Sequence, residues 1–121
     1  MKMQQILDAR GRGELTYDYA HDILFFKVRE RDYDSSLEFD TLVLDFDTLG
    51  YLTGLRIFDA SKVFRLSKTS LRRLHDIEFG STVEKNIVSV DLRFVCKGRR
   101  QDQRFVREGT GLRDSRVVAS A

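Results

Sequence analysis

The sequence predicts an α+β domain: an antiparallel sheet of four N-terminal strands, a helical segment over residues 60–74, and a three-strand antiparallel meander. Three observations carry that prediction. Apolar residues recur at period two along most of the chain, the spacing of half-buried strands. The period breaks after Asp59, where Val63, Leu66, Ser70 and Leu74 follow near-helical spacing. Proline is absent, so turns fall to glycine, asparagine and aspartate. A length of 121 residues suits one domain spanning 1–121. Within it, residues 1–12 and 110–121 lack a clear period and are expected to be peripheral or disordered.

The first ten residues offer a short helical turn around Ile6 and Leu7. In GELTYDYAHD, Leu15, Tyr17 and Tyr19 alternate with Glu14, Thr16 and Asp18 as a first strand. Ala20-His21-Asp22 turns the chain into ILFFKVRER, whose Leu24, Phe26 and Val28 share one face, completing a hairpin. Residues 31–36 read as a polar loop, and residues 37–47 as one strand. That strand is apolar on both faces over Leu42–Phe46, so a helix or a second copy must cover it. Residues 47–50 turn into the return strand YLTGLRIFDAS over 51–61, where Gly54 marks a bulge or a close backbone approach. Asp59 and Ser61 are both fit to cap the helical segment, which reads as one bent helix or two short ones.

After residue 75, HDIEFGSTVE alternates cleanly. Residues 87–96 set Val88, Val90, Leu92, Phe94 and Cys96 against Ser89, Asp91, Arg93 and Lys97. Residues 97–102 turn into a final short strand, QRFVRE. The last residues, GLRDSRVVASA, are expected to fray.

The spacing of Tyr17, Asp18, Asp22 and Leu24, then Asp45, Asp47 and Gly50, then Gly54, Ile57, Asp59, Ala60 and Ser61 resembles the domain of unknown function 2283 family over residues 13–63. The resemblance implies a small antiparallel sheet with a helix packed on it, and it brings no catalytic residue. It also brings an association with antitoxin-like partners of small toxins. Each motif position has a structural reading beside it: the aspartates and glycines make turns, and Asp59-Ala60-Ser61 starts the helix.

Charge is unevenly spread. Residues 1–60 hold seven Lys/Arg against twelve Asp/Glu, a balance of −5; residues 61–121 hold fourteen against seven, or +7. Such polarity predicts either head-to-tail association or a basic face for an anionic partner. The basic residues Arg72, Arg73, Arg93, Lys97, Arg99, Arg100, Arg104 and Arg107 form the candidate anion or nucleic-acid patch, each able to neutralise one phosphate. Stacking aromatics, which a single-strand binder would interleave, are limited there to Phe105.

Other constellations fail on chemistry. Asp45-x-Asp47-x-x-Gly50 lacks the closing glutamate of a calcium loop, since position 56 is arginine. His21, His75 and Cys96 supply at most three ligands from distant parts of the chain. Cys96 lies on an apolar face, where a cysteine packs as a small hydrophobe. Gly11-x-Gly13 precedes a strand, whereas a phosphate-binding pair follows one and opens a helix. No catalytic, cofactor or metal residue is therefore nominated. A deep pocket lined by His75, Asp76 or Asp91 would reopen the question of an enzyme.

The expectation is a non-enzymatic protein-interaction domain acting as a homodimer. The alternative is a nucleic-acid-binding or regulatory (antitoxin-like) protein using the basic half. No apolar run reaches the ~20 residues of a membrane span, and the N-terminus lacks a signal-peptide core, so a cytoplasmic location is expected.

Overall fold

A computed structural model describes residues 7–121. The helical turn expected around Ile6 lies partly outside the described residues, and Leu7 opens a strand. The strands are β1 (Leu7–Asp18), β2 (Ile23–Val28), β3 (Tyr33–Phe39), β4 (Leu42–Asp47), β5 (Leu52–Phe58), β6 (His75–Glu84), β7 (Ile87–Cys96), β8 (Arg99–Glu108) and β9 (Ser115–Ser120). Two helices, α1 (Ala60–Phe64) and α2 (Lys68–Leu71), separate β5 from β6. The α+β expectation is therefore corrected: the described chain is mostly β, and its strands form one curled, mixed sheet in the order β3-β4-β5-β2-β1-β9-β6-β7-β8.

β1 explains the curl. Its first half, Leu7 to Arg12, runs parallel to β9, and its second half, Gly13 to Asp18, runs antiparallel to β2. Gly13 sits where one pairing hands over to the other. A Cβ there would lie 2.1 Å from the tip of the Phe26 ring, and one on Gly11 would lie 3.0 Å from Val28. The G-x-G pair thus makes room for core side chains rather than for phosphate. Bent at this seam, the two wings of the sheet face each other. Phe26 of β2 stacks on Phe79 of β6 with ring centroids 4.7 Å apart, and the Ser81 hydroxyl donates to the Leu52 carbonyl at 3.5 Å.

This closure removes the reason for invoking a covering helix. Each wing covers the other, and Leu24, Phe26, Leu44, Leu55, Ile57, Phe79, Leu92 and Phe94 are essentially fully buried between them. Each such side chain contributes roughly 1.5–3 kcal/mol on burial. The helices close one end, where Phe64 of α1 meets Phe94 edge-to-face at 5.3 Å.

Several boundaries move. The strand expected over residues 37–47 is two strands, folded back at Asp40-Thr41 with Asp40 in the left-handed region (φ 49°). Its doubled apolar faces come from β4, which buries Leu42, Val43, Leu44 and Phe46. The polar loop at 31–36 already contains the start of β3. The bulge expected near Gly54 is present: Asp45 pairs with Gly54 and Phe46 with Leu52, leaving Thr53 extra.

The helical segment resolves into two single turns. Asp59 precedes α1 but its side chain makes no cap bond, whereas the Ser67 hydroxyl accepts from the Ser70 N–H at 3.1 Å at the start of α2. β8 begins at Arg99, directly after a Lys97-Gly98 turn with both residues at positive φ, so it is ten residues long.

The tail is the largest displacement from expectation. Residues 115–120 do not fray; they form β9 between β1 and β6, with Val117 and Ala119 buried.

Candidate functional site

The spaced motif of the first half converges on one knot. Asp22 ends the β1–β2 turn in the left-handed region (φ 55°), and its carboxylate reaches the start of α1. Tyr17 Oη donates to Asp22 Oδ1 at 2.6 Å; the Ser61 N–H donates to the same oxygen at 3.0 Å, and Ser61 Oγ to Oδ2 at 2.6 Å. The Ala60 N–H donates to the Asp22 carbonyl at 3.0 Å. Burial opposes the Asp22 charge, but hydrogen bonds from Ser61 and Tyr17 outweigh it and hold the carboxyl below its ordinary range. Burial, then the Asp22 hydrogen bond, push the Tyr17 phenol well above its ordinary range. Phenol and carboxylate therefore stay donor and acceptor across neutral pH, which makes a latch and not an acid–base pair.

A second polar cluster lies on the outer face of the same wing. Strand register places Glu14, Lys27, Gly54, Asp45 and Ser36 in one cross-strand row, and Thr16, Phe25, Arg56, Val43 and Glu38 in the next. Gly54 supplies no side chain, and above it opens a groove of about 690 Å³ walled by Phe25, Tyr33 and Arg56. Arg56 Nη2 donates to Asp45 Oδ1 at 2.9 Å, Ser36 Oγ donates to that oxygen at 2.6 Å, and Tyr33 Oη meets Ser36 Oγ at 2.7 Å. Arg56 Nε is buried without a hydrogen-bond partner. Sequence reasoning missed this groove; its one signal was Gly54 within a strand.

The eight basic patch residues do not form one surface. Arg72 lies over the Tyr19 ring at 5.0 Å, beside Lys68 at 4.8 Å. Arg73, Lys97 and His75 line a shallow hollow of about 460 Å³ with Ser67, Thr69 and Gly98. His75 Nδ1 is 3.1 Å from Asp76 Oδ2. Arg93 faces Asp102 at 3.5 Å, and Arg104 grips Asp91 with two bonds of 2.8 and 3.1 Å, which raises the Arg104 pKa. Arg107 Nη1 donates to the Val106 carbonyl, while Arg99 and Arg100 are exposed at the start of β8.

The remaining candidates are held by local structure. The Asp47 carboxylate is buried and accepts from the Leu49 and Tyr51 N–H groups, so the aspartate-glycine run makes a turn. The exposed His21 bonds Asp18 at 2.9 Å, and the buried Cys96 thiol approaches the Ser70 carbonyl at 3.7 Å. Among the described residues, no three His, Cys, Asp or Glu side chains gather as metal ligands. None of their helices is long and apolar enough to cross a membrane.

The two ends of the sheet differ. β3 is seven residues long, with a register irregularity between Tyr33 and Ser35, and Leu37 packs near Gly109 in the loop before β9. β8 pairs without interruption to β7 from Arg99 to Glu108, and among the described residues no strand pairs with its other side.

These features define a small, mostly β domain whose recurrent residues fasten a turn to a helix. Residues 14–61 match the model of the DUF2283 family, which is described as a protein of unknown function. The match ends at Ser61, the last residue of the knot. An uncharacterized protein of Methanocaldococcus jannaschii is 26% identical over 113 residues, spanning 87% of this chain and 96% of its own length. That likeness runs beyond the family segment. A Methanosarcina mazei protein provisionally named as a hypoxanthine phosphoribosyltransferase is 35% identical over 72 residues, 59% of this chain and 58% of that protein. No solved structure gives a significant match.

Proposed function

We propose that this chain is a non-enzymatic protein-interaction domain that works as a homo-oligomer. The carrying observation is the β8 edge, which among the described residues has no strand on its outer side and offers a ten-residue row of alternate N–H and C=O groups with no bulge or proline. Such edges are templates for another strand unless blunted. The contrast with β3, which is shorter and irregular, makes β8 the edge available for pairing. The groove beside Phe25, Tyr33 and Arg56 adds residue types enriched at interfaces.

The polar groups best suited to chemistry support this reading rather than a reaction: Tyr17 and Asp22 are engaged with α1, and Asp45 with Arg56 and Ser36. The phosphoribosyltransferase name stays with the Methanosarcina mazei protein. A phosphoribosyl group calls for a cradle of backbone N–H groups at a helix start, and the two helices here are single turns.

Sedimentation velocity across a concentration series tests self-association, with a concentration-dependent shift from monomer to dimer as the expected outcome. A monomer at every concentration overturns it.

The hollow between α2 and the β7–β8 turn favours a second reading. Arg73 and Lys97 meet hydroxyl side chains there, fit for a phosphate group, and the neighbouring Arg99 and Arg100 would extend the contact along a nucleic-acid backbone. Binding of a duplex oligonucleotide that falls with salt and is lost in Arg73→Ala/Lys97→Ala is its test; equal binding by that variant removes it.

A further inference from the structure

From the charge order along β8 we infer that two copies join edge to edge through antiparallel β8 strands, with the two-fold axis at Gln103. The inference rests on the self-association proposed above and adds its site and register.

The side chains of β8 alternate. Arg100, Asp102, Arg104 and Val106 are exposed on the outer face, while Gln101, Gln103, Phe105 and Arg107 turn toward the core side. In an antiparallel ladder, opposed residues point to the same side of the sheet. A two-fold axis between identical strands must therefore pass through a residue, because an axis between residues would oppose an outward side chain to an inward one. This restricts the registers to a few. Centring on Asp102 opposes Asp102 to itself and Arg100 to Arg104. Centring on Arg104 opposes Arg104 to itself and Asp102 to Val106. Centring on Gln103 opposes Asp102 to Arg104, twice. Centring on Gln101 opposes Arg100 to Asp102, also twice, but that ladder runs out at Arg99, against the Lys97-Gly98 turn. Centring on Gln103 pairs opposite charges and keeps residues 99–107 in the ladder, and like charges facing each other oppose pairing.

The monomer already contains both halves of the resulting pattern. Across one copy, strand register sets Glu78 beside Arg93 and Arg93 beside Asp102. Across the other, Arg104 sits beside Asp91. Joined through Gln103, the outer face carries Glu78, Arg93 and Asp102, then Arg104 and Asp91 of the second copy, a row of five residues alternating in sign. Symmetry repeats the row. On the core side, the two Gln103 amides oppose each other, and an amide can both donate to and accept from its twin. Gln101 covers Phe105 of the second copy, and the like-charged Arg99–Arg107 pair falls at the ends of the ladder.

Two variants test the register in the full chain. Gln103→Cys places a thiol on the axis, and the native Cys96 is buried. Oxidation of native protein is expected to give a disulfide dimer from Gln103→Cys and none from Gln101→Cys, whose thiol would face Phe105. Separately, Asp102→Arg and Arg104→Asp are each expected to weaken dimerisation at least tenfold by sedimentation. Mixing the two restores a dimer, because arginines at 102 and 104 of one copy then face aspartates at 104 and 102 of the other. Recovery on mixing also shows that both variants are folded. If the wild type dimerises but Gln103→Cys fails to cross-link, or Gln101→Cys cross-links equally, or mixing restores nothing, this interface is wrong while self-association stands. A wild type that stays monomeric overturns both.

Discussion

The two wings of the sheet are built on different principles. The β2–β5 wing with α1 is fastened by particular polar residues: Asp22 to Tyr17 and Ser61, Asp47 to its own turn, and Asp45 to Arg56. The β6–β8 wing is a meander, regular apart from one register shift between His75 and Glu78, with two-residue turns at Lys85-Asn86 and Lys97-Gly98, both at positive φ, and an inside–outside alternation from Ile77 onward. The first wing leaves a recognisable spacing of residue types; the second can be written with many sequences. A family signature can therefore mark where a fold is latched rather than where a protein acts, and here the open edge lies in the wing without the signature.

Removing β9 should break the comparison most severely, because it exposes β1 and β6 together. A chain ending at Asp114 is expected to lose cooperative thermal unfolding and to bind a hydrophobic dye, as the wings no longer join. Next come the seam residues. Phe26→Ala should cost about 3–5 kcal/mol in urea unfolding. Gly13→Ala should cost about 1–3 kcal/mol by overpacking, and much less in the Phe26→Ala background, since the clash is with that ring.

The latch sharpens the contrast at lower cost. Asp22→Ala strands the Tyr17 and Ser61 donors and should cost about 1–3 kcal/mol. Because the folded-state pKa of Asp22 is lowered, its contribution is present above the unfolded carboxyl pKa of about 3.9 and is lost as pH falls through the folded value. Urea midpoints measured from pH 5 to pH 2 should therefore fall less steeply in Asp22→Asn than in the wild type. Tyr17 acts at the other end. Its raised pKa means stability declines as pH climbs above the unfolded phenol value of about 10, and Tyr17→Phe should flatten that decline. The smallest effect belongs to the exposed meander: Arg93→Ala should change monomer stability by under about 1 kcal/mol, as exposed ion pairs do.

Local chemistry made much of this legible. β6 and β7 match their expected residues because their alternation is unbroken and their turns are short. The β1–β2 hairpin and the 47–50 turn follow from the same signals. The β3–β4 turn was hidden because Asp40-Thr41 has no glycine and the apolar run continues through it. β9 was hidden because its inward residues, Val117 and Ala119, are few and small, and its parallel partner lies at the far end of the chain. No local pattern announces such a pairing. At the candidate site, the latch residues were visible as a spacing, but their convergence on Asp22 needs the left-handed turn. The basic patch was a list of neighbours in sequence, and strand alternation scatters them over opposite faces.

The seam also sets an order of events during synthesis. Leu7 leaves the ribosome long before Ser115, its pairing partner. Until β6 emerges, Phe26 of β2 lacks the Phe79 ring that stacks on it, and until β9 emerges no strand joins the two wings. Long-range pairing of this kind slows folding, so the nascent chain carries Phe26 unsheltered while the intervening residues are made, a stage at which a holding chaperone would find it.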